Sequence, residues 1–316
     1  MTDERIPLSS TFAVMDLGTN TFHLLIAERS PTGFKELVHE QIAVKLGEGG
    51  INKGFIDTEA YQRGIAAMQQ FSRLLNETGP EKVRAIATSA LRNASNGSDF
   101  INEVKHETGI EIEIIDGETE AGYIYKGIRS AGCLSSKNSL VVDIGGGSVE
   151  FIICNDSQIF WKQSFEIGAA RLMDRFHRSD PIPPESITSL TFYLDSCLKD
   201  LFKAVSDYQL SNMIGSSGVF ESYAEIIAGA EEGKSHLKRI KNYIFNKEEL
   251  LALIEKIVLS DHQQRVAVKG IIPVRIDMIV VASLLTRYII NKLNIGEIAM
   301  STYSLKEGVL AEMMKG

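Results

Sequence analysis

Apolar positions along the chain come in short runs broken by polar turns, and two of the runs form a pair. Phe12, Ala13 and Val14 lead into a polar turn that Leu24, Leu25 and Ile26 follow; Leu140, Val141 and Val142 lead into a second turn that Phe151, Ile152 and Ile153 follow. Each reads as a β-hairpin, two apolar strands around a glycine-containing tip. Elsewhere the period changes. Ile65, Met68, Phe71, Leu74 and Leu75 share one face of a 3.6-residue repeat, which predicts a helix over 58–75 that Gly79 and Pro80 terminate. Short apolar runs predict strands over 83–88 and 110–115, and 118–130 reads as a helix linking the two halves. In the second half, helical spacing covers 184–205 and 247–259, residues 213–215 form a strand end, and Pro273 precedes an apolar helix over 274–293. The proline-rich stretch 179–185 is a loop ahead of a helix rather than a domain linker, because it falls inside the second half. Strand and helix alternate throughout, so the expected class is α/β.

The hairpins align with a shift of 127 positions, which sets Asp16 on Asp143, Gly18 on Gly145 and the hydroxyl of Thr21 on that of Ser148. One such tip is explained by a tight turn alone. Two with matched Asp, Gly and hydroxyl positions point to a duplicated unit, and two copies are too few for a solenoid. At 316 residues the chain exceeds one ordinary core. We therefore expect two lobes facing each other, 1–127 and 128–316, with the last helix packing back on the first lobe.

Composition narrows the functional classes. Hydrophobic residues make up 44% and charged residues 23%, the balance of a globular chain. The opening ten residues are polar, which argues against a secretory signal, and no run approaches the ~20 apolar residues of a membrane span. Cys133, Cys154 and Cys197 are widely spaced and make neither a disulfide framework nor a zinc motif; Cys154 reads as a core residue, and a reducing, cytoplasmic setting is expected. A net charge of −8 argues against nucleic-acid binding, yet it leaves room for a small polyanion held by backbone amides, a metal ion and a few arginines.

The candidate chemistry gathers at the turns. Glycine-rich tips expose consecutive amides that can wrap a phosphate, with Gly18, Thr19, Asn20 and Thr21 in one and Gly145, Gly146, Gly147 and Ser148 in the other. Asp143 and Glu150 stand on opposite strands of the second hairpin, where both carboxylates could approach one Mg²⁺; Asp16 is the counterpart of Asp143. Segment 114–121 leaves a strand and opens a helix, so its acids, Glu120 among them, serve either the helix dipole or an attacking water. Arg92 follows a strand-to-helix turn in which Thr88 or Ser89 can cap, and it reads as a solvated arginine or a phosphate clamp. Gly215, Ser216, Ser217 and Gly218 form a comparable junction, a further candidate contact for an anion or nucleotide. The six histidines lack metal spacing and read as structural.

Taken together, DLGTNT at 16–21, ATSALRNASN at 87–96, GETEA at 117–121 and DIGGGSVE at 143–150 resemble the exopolyphosphatase and guanosine pentaphosphate phosphatase family of the actin and sugar-kinase superfamily. GAARLMDRF from 168, GSSG from 215, PVRIDMI from 273 and SLKEGVL from 304 extend the likeness over nearly the whole chain. The resemblance implies two actin-like, ribonuclease H-like lobes around a cleft. It implies Glu120 as the carboxylate that activates water, Asp143 and Glu150 as acids around a Mg²⁺ ion, the two tips as phosphate loops and Arg92 as a phosphate-binding arginine. Homodimerisation is compatible with the family, though no apolar stripe demands it. Val149, Met173, Asp174, Ile276 and Ser304 depart from the usual pattern without removing a carboxylate, and the helical extension of longer members is absent. The expected reaction is release of terminal orthophosphate from polyphosphate, with guanosine pentaphosphate as the alternative substrate. A kinase-like phosphotransferase and a non-catalytic nucleotide-binding protein are the rivals of another class.

Overall fold

Two mixed β-sheets of matching strand order organise the chain in the computed structural model, which describes residues 10–31, 33–229 and 240–315. The first sheet contains β1 (Thr11–Leu17), β2 (Thr21–Ser30), β3 (Gly33–Ala43), β4 (Lys82–Ala87) and β5 (Ile112–Ile114), in the order β3-β2-β1-β4-β5. Its helices are α1 (Thr58–Thr78), α2 (Ser89–Asn93), α3 (Gly97–Thr108) and α4 (Gly117–Ser130). The second sheet contains β6 (Ser139–Ile144), β7 (Val149–Cys154), β8 (Ile159–Phe165), β9 (Asn212–Ser216), β10 (Asn242–Phe245) and β11 (Glu297–Ser301). Its order is β8-β7-β6-β9-β11-β10. With it go α5 (Ala169–Phe176), α6 (Pro184–Cys197), α7 (Lys199–Ser206), α8 (Gly218–Ile227), α9 (Lys247–Leu259), α10 (His262–Val266), α11 (Met278–Lys292) and α12 (Leu305–Met313). In both sheets three antiparallel strands are followed by two parallel ones, so the duplication visible as two hairpins extends to five strands.

The continuous apolar runs have a packing cause. Ala13, Met15 and Leu17 of β1 face a core with α1 and α3, whereas Phe12 and Val14 face a central core shared with Val141, Ile152 and Ile214 of the other sheet. A strand buried on both faces needs no polar alternation. Helices α4 and α12 lie in that central layer, α12 against α4 and β1, and α4 against β7 and β8. They approach backbone to backbone: a Cβ on Gly127 would sit 2.0 Å from the Ser304 carbonyl oxygen, and one on Gly308 1.8 Å from that of Tyr123. The expected division at 127/128 falls inside α4, a helix that touches both sheets.

Several boundaries differ from the sequence reading. Segment 184–205 is two helices broken at the buried Leu198, and the apolar period runs through the break, which hides it. The apolar helix expected from 274 starts at Met278; Pro273–Arg275 is a 3₁₀ turn, and Asp277 at the junction is paired with Arg265 and His262. The strand expected over 110–115 is only Ile112–Ile114. The opening segment 1–9 lies outside the described residues. No helix among the described residues is long and apolar enough to cross a membrane.

Candidate active site

The two hairpin tips meet across a cleft between the sheets. Its walls include Asp16, Gly18, Thr19, Asn20 and Thr21 from the first tip and Asp143, Gly145, Gly146, Gly147 and Ser148 from the second. Tertiary contacts orient both tips in the same way. The carbonyls of Thr19 and Asn20 accept from the amides of Gly47 (3.0 Å) and Lys45 (2.7 Å). Those of Gly145, Gly146 and Gly147 accept from Ala169 (2.9 Å), Ala170 (2.8 Å) and Gly168 (3.1 Å), at the start of α5. In a trans peptide the N–H opposes the C=O, so tying the carbonyls back turns the following amides toward the cleft. The tips are also close to each other. A Cβ on Gly146 would meet the Asn20 side chain at 2.4 Å, and one on Gly147 would meet Ser89 at 2.5 Å.

Four carboxylates converge behind the tips. Asp143 and Glu150 are directly paired across β6 and β7, so both project to the same face. Asp143 accepts hydrogen bonds from the hydroxyls of Ser216 and Ser304 through one oxygen. Glu150 accepts from Ser164 at 2.7 Å and is almost fully buried, a layer deeper than the cleft wall. Glu120, in the first turn of α4, lines the cleft and accepts from Arg92 at 3.0 Å. The helix is capped instead by Asp116, whose side chain accepts from the Thr119 amide, which leaves Glu120 free of the capping role.

Burial raises the pKa of every one of these acids. Burial and then the Asp143 charge take Glu150 to about 8. Asp16 reaches about 7 through burial, with Lys306 pulling it down and Asp143 pushing it up. Burial followed by the Glu150 charge holds Glu120 well above the ordinary range against the pull of Arg92. Asp143 is raised by burial in spite of its two serine donors. Mutually repelling, desolvated carboxylates are a hard-oxygen donor set whose charge Arg92 and Lys306 offset only in part, which suits a hard divalent cation. Among the described residues no group of three His, Cys, Asp or Glu side chains is placed to hold a metal ion, so such a cation would rest on one or two carboxylates and on water or substrate oxygens.

The remaining sequence candidates divide. Ser217 and Gly218 line the cleft, but Gly215 and Ser216 do not: Gly215 leaves room for the Phe220 ring, and Ser216 is spent on Asp143. Ser217 has φ +76°, a conformation L residues avoid, and its hydroxyl donates to Ile144 O at 2.7 Å. Neither Thr88 nor Ser89 caps α2; the Ser89 hydroxyl donates to Glu166 instead, at 2.7 Å. Arg92 is not among the cleft-wall residues; its guanidinium is paired with Glu120 and Glu166, 3.0 and 3.2 Å away.

A profile of the Ppx/GppA phosphatase family matches residues 25–316. The chain belongs to the Ppx/GppA family. A guanosine-5'-triphosphate,3'-diphosphate pyrophosphatase of Photobacterium profundum is 29% identical over 98% of this chain but only 61% of its own length, so the chain spans about three fifths of that relative. A candidate exopolyphosphatase of Haemophilus influenzae is 28% identical over 96% of this chain and 91% of its own. Among solved structures, an exopolyphosphatase from Cytophaga hutchinsonii superposes with a TM-score of 0.93 at 41% identity, covering 97% of this chain and 98% of that one. A family member from Aquifex aeolicus, at 21% identity and a TM-score of 0.80 over 97% and 98%, shares the fold. These likenesses support the actin-like α/β architecture expected from the sequence.

Within the Ppx/GppA frame, the site also contains residues that motif reading passed over. Lys306 is buried in the cleft floor; burial opposes its charge, yet Glu307, Glu221 and Asp16 hold its pKa above the ordinary lysine value. Its position carried a signal, because a lysine in the first turn of a helix opposes the macrodipole and so asks for acidic partners. His23 stands opposite Asp16, where the second hairpin has Glu150 opposite Asp143. Burial and then Lys306 depress its pKa well below the usual value, so it is neutral.

Proposed function

We propose that this chain releases terminal orthophosphate from inorganic polyphosphate by Mg²⁺-dependent attack of water. What carries the reading is Glu120, a buried carboxylate on the wall of a cleft that the two glycine tips face. Inward-turned amides of both tips bind and orient the terminal phosphate, while the hydroxyls of Thr21 and Ser148 are bonded to His23 and Glu150 behind them. Glu120 accepts a proton from the attacking water, and its raised pKa makes it a stronger base than an exposed glutamate once ionised. Arg92 holds that carboxylate in place at 3.0 Å and faces the charge that develops on the transferring group. Asp143, with Glu150 behind it, would hold the Mg²⁺ ion; bound there, the ion would neutralise phosphate charge in the transferring group. The closely spaced tips and the central core limit bulk water at the reacting phosphorus.

A guanosine pentaphosphate substrate is the second reading. It is favoured by the apolar patch of Val219, Val274, Met278 and Ile279 beside Ser217 and Gly218, which would suit a base. The deciding assay is phosphate release from polyphosphate and from guanosine pentaphosphate in parallel, with Mg²⁺ and with chelator. Mg²⁺-dependent release from polyphosphate supports the first reading, and preference for the nucleotide promotes the second. Release that required an acceptor other than water would reassign the chain to phosphotransfer.

A further inference from the structure

One carboxylate in the cleft region has a role that neither the resemblance nor the mechanism uses. Glu166 follows β8 and reaches across to the other lobe. Its Oε2 accepts from the Ser89 hydroxyl at 2.7 Å and from Arg171 Nη2 at 2.8 Å, and its Oε1 accepts from Arg92 Nη2 at 3.2 Å. The Asn93 side chain adds a further donor. Two guanidinium groups, a hydroxyl and an amide converging on one anion are the donor set of a phosphate site rather than of a surface ion pair. The arginines are pre-positioned by other contacts. Arg171 donates to Gly147 O and Ile51 O, both at 2.8 Å, and Arg92 donates to Ile115 O at 2.9 Å and to Glu120. Both are largely buried, with 14% and 17% of the side chain exposed, whereas Glu166 is 44% exposed and has solvent on one side.

The location links this cradle to the cleft. Ser89 and Gly147 are cleft-wall residues, and Arg171 holds the carbonyl of Gly147 itself. Two of the donors that Glu166 satisfies, Ser89 and Arg171, thus touch the second tip. We infer that Ser89, Arg92, Asn93 and Arg171 form a second phosphate subsite beside the tips, which Glu166 fills as an internal stand-in until the penultimate phosphate of a substrate chain displaces it. The inference rests on the proposed function, since it deepens that same site, and the exchange is one anion for another with no new cavity required. Binding of a chain of phosphates would then carry the cost of breaking the Glu166 contacts, whereas a lone phosphate seated between the tips would not.

The test is the affinity of tripolyphosphate and of orthophosphate, measured by calorimetry with Mg²⁺ in a Glu120→Gln background that holds turnover down. Adding Glu166→Gln is expected to tighten tripolyphosphate about fivefold, the size of one partly exposed charged contact, and to leave orthophosphate unchanged. Asn93→Ala, which removes a donor that touches neither tip, is expected to weaken tripolyphosphate, with a native circular dichroism spectrum certifying the fold. Unchanged or weaker tripolyphosphate binding in Glu166→Gln would overturn the inference and make Glu166 a brace for the arginines. Equal shifts for both ligands would also overturn it, because the effect would then be the general potential of the cleft. The readout is binding, so failure of wild-type protein to release phosphate would sink the functional reading while leaving this comparison intact.

Discussion

At the scale of single residues, Glu120 combines two properties that ordinarily conflict. It is buried, which favours the protonated form, yet it accepts a charged hydrogen bond from Arg92, which favours the ionised one. Turnover should therefore rise with pH through the Glu120 ionisation. Removing the Arg92 charge with Arg92→Gln should push that acid limb of kcat/KM to higher pH, since the guanidinium lowers the carboxyl's pKa. A limb that stayed in place would assign it to another group. Glu120→Gln should lower kcat by about 10²–10⁴, the usual contribution of a general base, with substrate affinity largely kept. A variant that lost affinity and kept its turnover per bound complex would contradict that role.

At the scale of elements, helix starts and helix crossings position the site. The start of α5 holds the second tip by three backbone hydrogen bonds, and a Cβ on Gly168 would stand 2.4 Å from the Gly146 and Gly147 backbone. Gly168→Ala must displace that tip, so KM for a phosphate chain should rise while the helical circular dichroism stays native. The α4–α12 crossing at Gly127 and Gly308 fixes both Glu120 and Lys306, which stand on the two helices concerned. Gly308→Ala should cost about 1–3 kcal/mol by overpacking, read as a fall in the urea midpoint. An unchanged midpoint would mean that the crossing is looser than its 1.8 Å clearance implies.

At the scale of the whole molecule, the convergent acids make stability depend on pH and cation together. Asp16 rises from 3.8 to about 7 and Glu150 from 4.5 to about 8. Acids with raised folded pKa values contribute stability that is complete below their unfolded values and is lost as pH climbs through 7 and 8. Metal-free protein should thus melt at lower temperature at pH 8.5 than at pH 6. Mg²⁺ binds the ionised carboxylates, so its stabilisation in thermal melts should be larger at pH 8.5 than at pH 6. A Mg²⁺ shift of equal size at both values would remove the acids from the cation site.

The chain's own pattern was enough for the α/β class, the duplicated hairpins and the two glycine tips, because strand periodicity and turn chemistry act over a few neighbouring residues. Asp143 opposite Glu150 was legible for the same reason: a hairpin's register follows from its turn. Other features depended on contacts between distant segments. No local pattern shows that the Leu198 break splits an apolar helix, that Ser216 and Ser304 share one oxygen of Asp143, or that Glu166 bridges Ser89, Arg92 and Arg171. Those donors lie 73 to 161 residues from their acceptors, save for Arg171 at five. The sequence by itself determined which chemical groups the molecule owns and which turns present them. Only tertiary packing decided which of those groups share a site, because burial and the long-range crossing of α4 and α12 set both the distances between the charges and the energies of ionising them.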